Sequence, residues 1–461
     1  MAGNFPDGSL AVTFNPTVVA TIQDRTLQRV FRDSLFPRLM FRMEAVAELW
    51  TANLGTNQTF SRSALIRPRT RPIQPGVDPM PKSYKTEQWE ATAQRWADSI
   101  DTHMPTSYVT LASQYLRNMH QLGLQAGQSI NRVVRDKLYN AYVAGNTVTT
   151  ALASSGATTL LLQSVNGFAF ILAATGRQAA VSGSNTIPIK IPAISYVGAI
   201  TAVTPDIAGD FIHGGSVTIS PAIGADVPAR SAVLADNRSV LVYSGGGSSV
   251  DDIVASDQFA LRDVRAAVAQ MRFNNVPTHD DGLYHWHLDP FSESQLFSDN
   301  EFQRVAGQSL PDYVHYKRFA AGALLGTVFY RNNETPFVTT VDLDPNEGNT
   351  HGFEVTNAAG INIHRPICTG LGAIEEKYLD EGKYISEAGV TGKIGEFAVT
   401  NMGVQVMTER IRLILRAPLD RLQDMTSSSY SISGDWPVPT DVLAPGGSAA
   451  FRRAVVVVHG E

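Results

Sequence analysis

The sequence predicts an α+β fold interrupted by an all-β insert. Three stretches carry that expectation: apolar residues at helical spacing from Ser113 to Ala144, a proline-studded extended stretch before them, and a charge-poor stretch punctuated by Gly and Pro from Val165 to Val250. The 461 residues are 43% hydrophobic and 17% charged, with 37 Gly and 24 Pro. At ~150 residues per domain such a chain holds about three domains, with a large core. This composition excludes a disordered chain, which needs low hydrophobicity and high charge. A single cysteine, Cys368, excludes a disulfide scaffold. No apolar run approaches the ~18 residues of a membrane helix. The first residues, Met1 to Asp7, lack the basic and apolar regions of a signal peptide, so the chain is expected to be soluble when made and to stay in a reducing compartment. A net charge of −6 argues against a dedicated nucleic-acid binder.

Taken in order, Thr17 to Asn53 predicts two helices. Leu27, Val30, Phe31 and Leu35 share a face until Pro37 interrupts, and Leu39, Met43, Val46, Ala47 and Trp50 form a second stripe that Gly55 ends. Arg25, Arg29, Arg32, Arg38 and Arg42 stud this segment, as a solvated face or as a contact with acidic neighbours or packaged nucleic acid. Thr59 to Arg67 reads as extended. Pro68, Pro72, Pro75, Pro79 and Pro81 then forbid helix and central strand alike. Arg67, Arg69 and Arg71 alternate, and so share one face of an extended chain. Lys85 to Ile100 fits a return strand or a helix. Residues 59–105 together offer few core positions and are expected to lie on another subunit, with a long surface loop as the alternative.

Leu116, Met119, Gly123, Ala126, Ile130, Val133, Leu138 and Ala141 predict a helix over Ser113–Ala144, stopped by Gly145-Asn146. At 1.5 Å per residue it is about 45–50 Å long. Arg117, Arg132, Arg135 and Lys137, against Asp136 alone, give it a basic flank. In the charge-poor stretch, Ile187–Ile191, Tyr196–Val203, Ser216–Ser220 and Ser239–Tyr243 predict a small barrel or sandwich, with Gly245-Gly246-Gly247-Ser248-Ser249 as a closing linker. Leu261, Val264, Val268 and Met271 mark a helix capped by Ser256 or Asp257 and ended by Asn274-Asn275-Val276-Pro277. A strand at Leu283–Leu288 and a short helix near Glu293–Phe297 follow, then strands at Leu324–Tyr330, Gly403–Met407, Arg410–Arg416 and Ala454–Val458. No internal repeat is present.

Catalytic motifs are missing. There is no G-x-S-x-G elbow and no phosphate-binding loop, and Gly370-Leu371-Gly372 lacks the third glycine of a dinucleotide fingerprint. His285 and His287 share one strand face, but two ligands make a weak metal signal and a structural role is expected. Asp342, Asp344 and Asn346 start like a calcium loop that Glu347 and Phe353 break. Cys368 sits in an apolar run and reads as a small buried hydrophobe. No catalytic, cofactor-binding or metal residue is expected, and no cofactor; the chain is not expected to be an enzyme.

The order of elements resembles the major capsid protein of tailed bacteriophages, the Hong Kong 97-type fold. Leu261 to Val268 through Asn275-Val276-Pro277, Gly282 to Pro290, Ala321-Gly322 through Gly326 to Tyr330, and Gly370 to Ile374 are similar to passages of that family. The resemblance implies an N-terminal arm over residues 1–58 and an extended loop over 59–105. It implies a spine helix and peripheral domain over 106–164, an inserted β-domain over 165–250, an axial domain over 251–400, and return strands over 401–461. It implies self-assembly as hexamers and pentamers into an icosahedral head enclosing double-stranded DNA, in a virion assembled in the host bacterial cytoplasm, with no membrane partner. The arm is too short for a fused scaffold, which implies a separate scaffolding protein; a portal protein and a decoration protein are further partners.

Arg67, Arg69, Arg71, Lys82 and Lys85 would make intersubunit contacts, where carboxylates of a neighbour can pair with them. Arg117, Arg132, Arg135 and Lys137 would face DNA or scaffold without sequence specificity. An encapsulin-type nanocompartment is the alternative within the fold. A β-rich glycan-binding protein is the alternative outside it, disfavoured by the long helix.

Overall fold

The computed structural model describes residues 26–35, 40–50, 55–63, 66, 68–70, 72–73, 76, 78–84, 86–109, 114–172, 178–208, 211, 214–236, 238–309, 325–336, 356–379, 392–394, 397–400, 403–408, 410–416, 424–438 and 452–461. It divides into two compact units: Met1–Phe60 with Glu90–Val134 and Glu375–Pro437, and Ser61–Trp89 with Arg135–Ile374 and Val438–Glu461. The division falls inside the long helix, Gln114–Val143, whose 30 residues span about 45 Å. Of the predicted stripe, Met119, Gly123, Ala126, Ile130 and Leu138 are buried. Gly145 ends the helix at φ +75°, a conformation that suits glycine.

The first unit is built on an eight-stranded sheet. Its strands run in the order Ala45–Leu49, Ile374–Tyr378, Met425–Asp435, Ile411–Arg416, Gly403–Thr408, Phe397–Thr400 and Gly392–Ile394, with Gln94–His103 also paired to Met425–Asp435. That last pairing is antiparallel and unbroken from Met425↔His103 to Gly434↔Gln94. The front part of the long helix meets the sheet through polar contacts. Asn118 Nδ2 donates to Thr102 Oγ1 at 2.8 Å, and Gln125 Nε2 donates to Asp98 Oδ2 at 2.7 Å. The helix Thr26–Leu35 buries Phe31 and Leu35 and crosses the long helix at Gly123. A Cβ there would lie 1.9 Å from Ser34 Oγ and 2.7 Å from the Phe31 carbonyl, so only glycine permits this approach.

The second predicted N-terminal helix does not form. A single 3₁₀ turn, Arg42–Glu44, leads into the strand Ala45–Leu49. Of the expected apolar stripe, Met43, Val46 and Ala47 are exposed and Trp50 is buried. Anchoring outweighs periodicity here. Arg42 is tied to Glu376, and Trp50 N donates to the Tyr378 carbonyl at 2.8 Å, which docks the segment along Ile374–Tyr378. The open choice at 85–100 resolves to strands, Thr86–Thr92 and Gln94–His103. Ile374–Tyr378, Gly392–Ile394 and Phe397–Thr400 belong to this sheet, so the span 251–400, expected as one domain, is divided at Ile374/Glu375.

The second unit contains a barrel and a mixed sheet. The barrel strands are, in spatial order, Asn146–Val148, Ala232–Ala235, Ile187–Ile191, Tyr196–Pro205, Gly215–Ser220 and Thr159–Leu162. The two ends of that row also meet. Thr149 bridges Leu162, and Gln163 N donates to the Val148 carbonyl at 3.0 Å, so the sheet closes on itself. Along Ile187–Ile191 burial alternates, and Ile187, Ile189, Ile191, Ile200, Val217, Ile219, Leu160 and Leu162 fill the interior. The barrel starts about twenty residues before Val165 and ends before Val250, because Asn146–Val148 directly follows the helix and hydrogen-bonds into the ring. The expected Gly245 linker is a compact turn. Gly245 and Gly246 take positive φ, and Ser244 is buried with its hydroxyl on Asp263.

The mixed sheet runs Val242–Tyr243, Ala454–Gly460, Ile367–Thr369, Tyr284–Leu288 and Thr327–Arg331, with Ile363–His364 also on Ala454–Gly460. The helix Leu261–Phe273 packs Leu261, Val264, Val268 and Met271 against Trp286, Val455 and Val457. Its first turn is capped by Asp263, which accepts from Ala260 N at 3.2 Å, not by Ser256 or Asp257. Ala260 is the residue in extended conformation just ahead of the first turn, so the cap falls there. Cys368 is buried in this core, as expected.

Candidate assembly surface

The strands Asn57–Ser63 and Thr86–Thr92 pair with each other and carry between them the proline-rich segment. This ribbon has almost no interior. Gln58 and Ala91 are its buried described residues, and stacking supplies much of the rest: the Arg62 guanidinium lies 5.3 Å from the Trp89 ring centre and Lys377 Nζ 3.9 Å from that of Phe60. Beyond the strands every described residue from Ile66 to Tyr84 is exposed. That includes Ile66, Ile73, Tyr84 and Met80, the last at 86%. Pro68, Pro72, Pro79 and Pro81 deny the segment a hydrogen-bonded ladder of its own. Exposed apolar side chains on a segment with no partner strand among the described residues make this a candidate docking surface.

Of the predicted contact residues, Arg69 and Lys82 are exposed on this segment. Arg67, Arg71 and Lys85 lie outside the residues whose side chains are described, as do Asp342, Asp344 and Asn346. On the long helix, Arg117 is exposed, and Arg132 and Lys137 are half-buried. Arg135 departs from the expected basic flank. It is 7% exposed, its Nε donates to Asp136 Oδ1 at 2.8 Å, and its Nη1 donates to the Glu334 carbonyl at 3.2 Å. Its charge is paired inside the second unit, with Asp136 and with Glu334 Oε2 at 4.0 Å. His285 and His287 do not converge on a shared ligand position. His285 Nε2 bonds Asp281 Oδ2 at 2.9 Å and stacks on His279, while His287 is buried beside Asn332.

An ionic anchor in the first unit was not read from the sequence. Glu376, buried, is gripped by Arg42 through Nε at 3.1 Å and Nη2 at 2.7 Å, and by Arg410 Nη1 at 3.1 Å. Its neighbour Lys377 pairs with Glu48 and with Glu375 Oε2 at 3.0 Å. The alternation Glu375-Glu376-Lys377 is an available signal, since successive strand residues serve opposite faces. Its partners Arg42 and Glu48, more than 300 residues away, are not. Such pairs add little net stability but are costly to break, so they fix where the N-terminal segment docks.

No protein-family model matches the sequence, and no curated protein does. Among solved structures, the cyanophage Pam1 capsid asymmetric unit is similar over 94% of this chain and 93% of its own, with a TM-score of 0.50 at 10% identity. The chain has the fold of a phage capsid protein. The capsid of Ralstonia phage GP4 is similar over 90% of this chain and 87% of its own, with a TM-score of 0.46 at 11% identity. The capsid of cyanophage P-SCSP1u covers 90% and 86%, with a TM-score of 0.43 at 10% identity.

Proposed function

We propose that this chain is the major capsid protein of a tailed phage, a structural protein without catalytic activity. Copies assemble as hexamers and pentamers into an icosahedral head around double-stranded DNA. In this reading, of the Hong Kong 97 type, residues 59–105 are the extended loop, Gln114–Val143 is the spine, the barrel is an inserted domain, and the mixed sheet is the core of the axial domain. A separate scaffolding protein, a portal and a decoration protein complete the particle, which forms in the bacterial cytoplasm. One observation supports this reading above all: residues 66–84 expose Ile66, Ile73, Met80 and Tyr84 along a segment with no interior. A neighbouring copy would cover them, and its carboxylates would pair with Arg67, Arg69 and Arg71.

Negative-stain microscopy of the chain co-expressed with its scaffolding protein tests the proposal. Closed shells, or rings of five and six, are expected; a monodisperse monomer under all assembly conditions overturns it. Shells filled with DNA during phage infection separate a phage head from a nanocompartment, which would be empty of genome. Replacing Arg67, Arg69 and Arg71 by Ala is expected to leave a soluble chain with a several-fold lower particle yield; unchanged yield and unchanged heat resistance of the particles would remove the arm from the mechanism.

A further inference from the structure

The second unit buries a positive charge that no described residue pairs with. Arg365 lies between the strands Ile363–His364 and Ile367–Thr369 and is 1% exposed. Its Nε and Nη1 atoms are buried with no hydrogen-bond partner among the described residues. The Tyr243 hydroxyl is buried and unpartnered in the same way. The register brings these two residues to one place. Ile363 pairs with Gly460, His364 with His459 and Ile367 with Val456, which sets Arg365 opposite Val458. Tyr243 pairs with Val458 from the other side. Residues in one row of a sheet project from the same face. Two strand spacings put their Cα atoms about 10 Å apart, a gap that two long side chains close from both ends over Val458.

The neighbours cannot supply the missing charge. Burial pushes Arg365 down to about 10, so the guanidinium stays protonated at neutral pH. Burial pushes the Tyr243 phenol up to about 12, so it stays neutral. Tyr139 spends its hydroxyl on the Arg365 carbonyl at 2.8 Å. Arg135 and Arg238 add positive charge to the surroundings. The groups whose charge acts on Arg365 are Tyr243 and Tyr139, and no carboxylate is among them; Asp251 and Asp252 lie by Tyr243, where they accept from Ala232 N at 2.9 Å and Ser248 N at 2.8 Å, and Asp289 lies by Tyr139. An uncompensated buried cation is costly, and a water molecule would satisfy its donors without answering its charge. A carboxylate from another macromolecule has no way in to a side chain this enclosed.

We propose that Arg365 and Tyr243 form a buried seat for one small monovalent anion of the chloride class, which completes the fold of the second unit. One of the two unpartnered N–H edges of Arg365 and the O–H of Tyr243 would donate to it, and its single charge matches the single guanidinium.

Chloride itself is the probe. Thermal unfolding of the full-length, unassembled chain is followed as gluconate is replaced by chloride at constant ionic strength. The midpoint is expected to rise by about 2 °C and to saturate, as ligand linkage requires. Tyr243→Phe should move the response to higher chloride, and Arg365→Met should abolish it. Chloride-35 NMR line broadening that is present in the native chain and reduced in Tyr243→Phe is the second readout, and it stands if Arg365→Met does not fold. Equal midpoints in the two salts, or a chloride response of unchanged size in both variants, overturns the proposal.

Discussion

The proline-rich arm and the six-stranded barrel differ in where their apolar side chains go. In the barrel, alternate residues of each strand point to a closed interior, and the ring leaves no strand edge unpaired. In the arm, Ile66, Ile73, Met80 and Tyr84 point to solvent from a chain whose prolines prevent it from pairing. Both stretches are poor in helix-forming pattern, yet one buries its apolar residues within itself and the other leaves them exposed. Charge follows the same division. The barrel interior holds none, while residues 66–84 carry Arg67, Arg69, Arg71 and Lys82 against Asp78. The lesson is that exposure of apolar residues is informative where the backbone has no alternative partner, and is ordinary elsewhere.

The sharpest way to break this comparison is to hollow the barrel. Phe168 is fully buried there, and Phe168→Ala is expected to cost about 4 kcal/mol. Denaturant unfolding of the unassembled chain measures it, and a loss below about 1 kcal/mol would mean the barrel core is not cooperative with the rest.

Acid acts on a third region, the underside of the mixed sheet. Asp289 caps the helix Pro290–Ser298, accepting from Phe291 N and Ser292 N. It also meets His364 Nδ1 at 2.9 Å, and Ser292 Oγ lies 2.6 Å from His459 Nε2. Burial, and then the neighbouring His364 charge, push His459 down to about 4. An unfolded His titrates near 6.5, so the unfolded chain takes up a proton that the folded chain refuses as pH falls from about 6.5 to about 4. Stability is therefore lost across that window, by roughly 3 kcal/mol. His364 works in the opposite sense. Burial disfavours its charged form, but Asp289 and Glu461 outweigh that and raise it, so its contribution is present in acid and lost as pH rises through the raised value. A pH series of unfolding midpoints for the native chain and His459→Gln checks the assignment: the variant should lose the steep part of the acid limb.

The smallest effect belongs to the arm. Changing Ile73, Met80 and Tyr84 together to Ser should alter the stability of the unassembled chain by no more than about 0.5 kcal/mol, since exposed positions have little to lose. The same triple variant should assemble poorly, and a stability loss comparable to that of Phe168→Ala would show that the arm folds against its own chain.

How much of this was legible in the sequence depended on whether burial follows a simple period. Ser113–Ala144 was expected as one helix and the helix is Gln114–Val143, because its buried stripe is apolar. Ile187–Ile191 and Ser216–Ser220 were legible as strands because alternate residues face a dry interior. Met425–Asp435 was not. Thr426, Ser428, Tyr430 and Ser431 are among its buried residues, a polar set that does not read as a strand core. The 45–49 strand was lost for the converse reason: its apolar residues imitate a helix face, but Arg42 and Glu376 decide its place. Arg135 looked like part of a basic surface because sequence spacing cannot reveal Glu334 beside it. The arm was readable as an arm from its prolines alone, while its exposed Met80 and Tyr84 needed the structure.

The pairing of Gln94–His103 with Met425–Asp435 has a consequence for the timing of synthesis. More than 300 residues separate the two strands, so the first unit cannot close its sheet until the barrel and all of the mixed sheet but its last strand, Ala454–Gly460, have been made. At ~5–20 residues per second that wait lasts roughly 15–60 s. The second unit's barrel, by contrast, is complete within about ninety consecutive residues and is free to form as it emerges. A nascent chain can thus complete its barrel while the platform of the first unit stays open until nearly all of the chain has been translated.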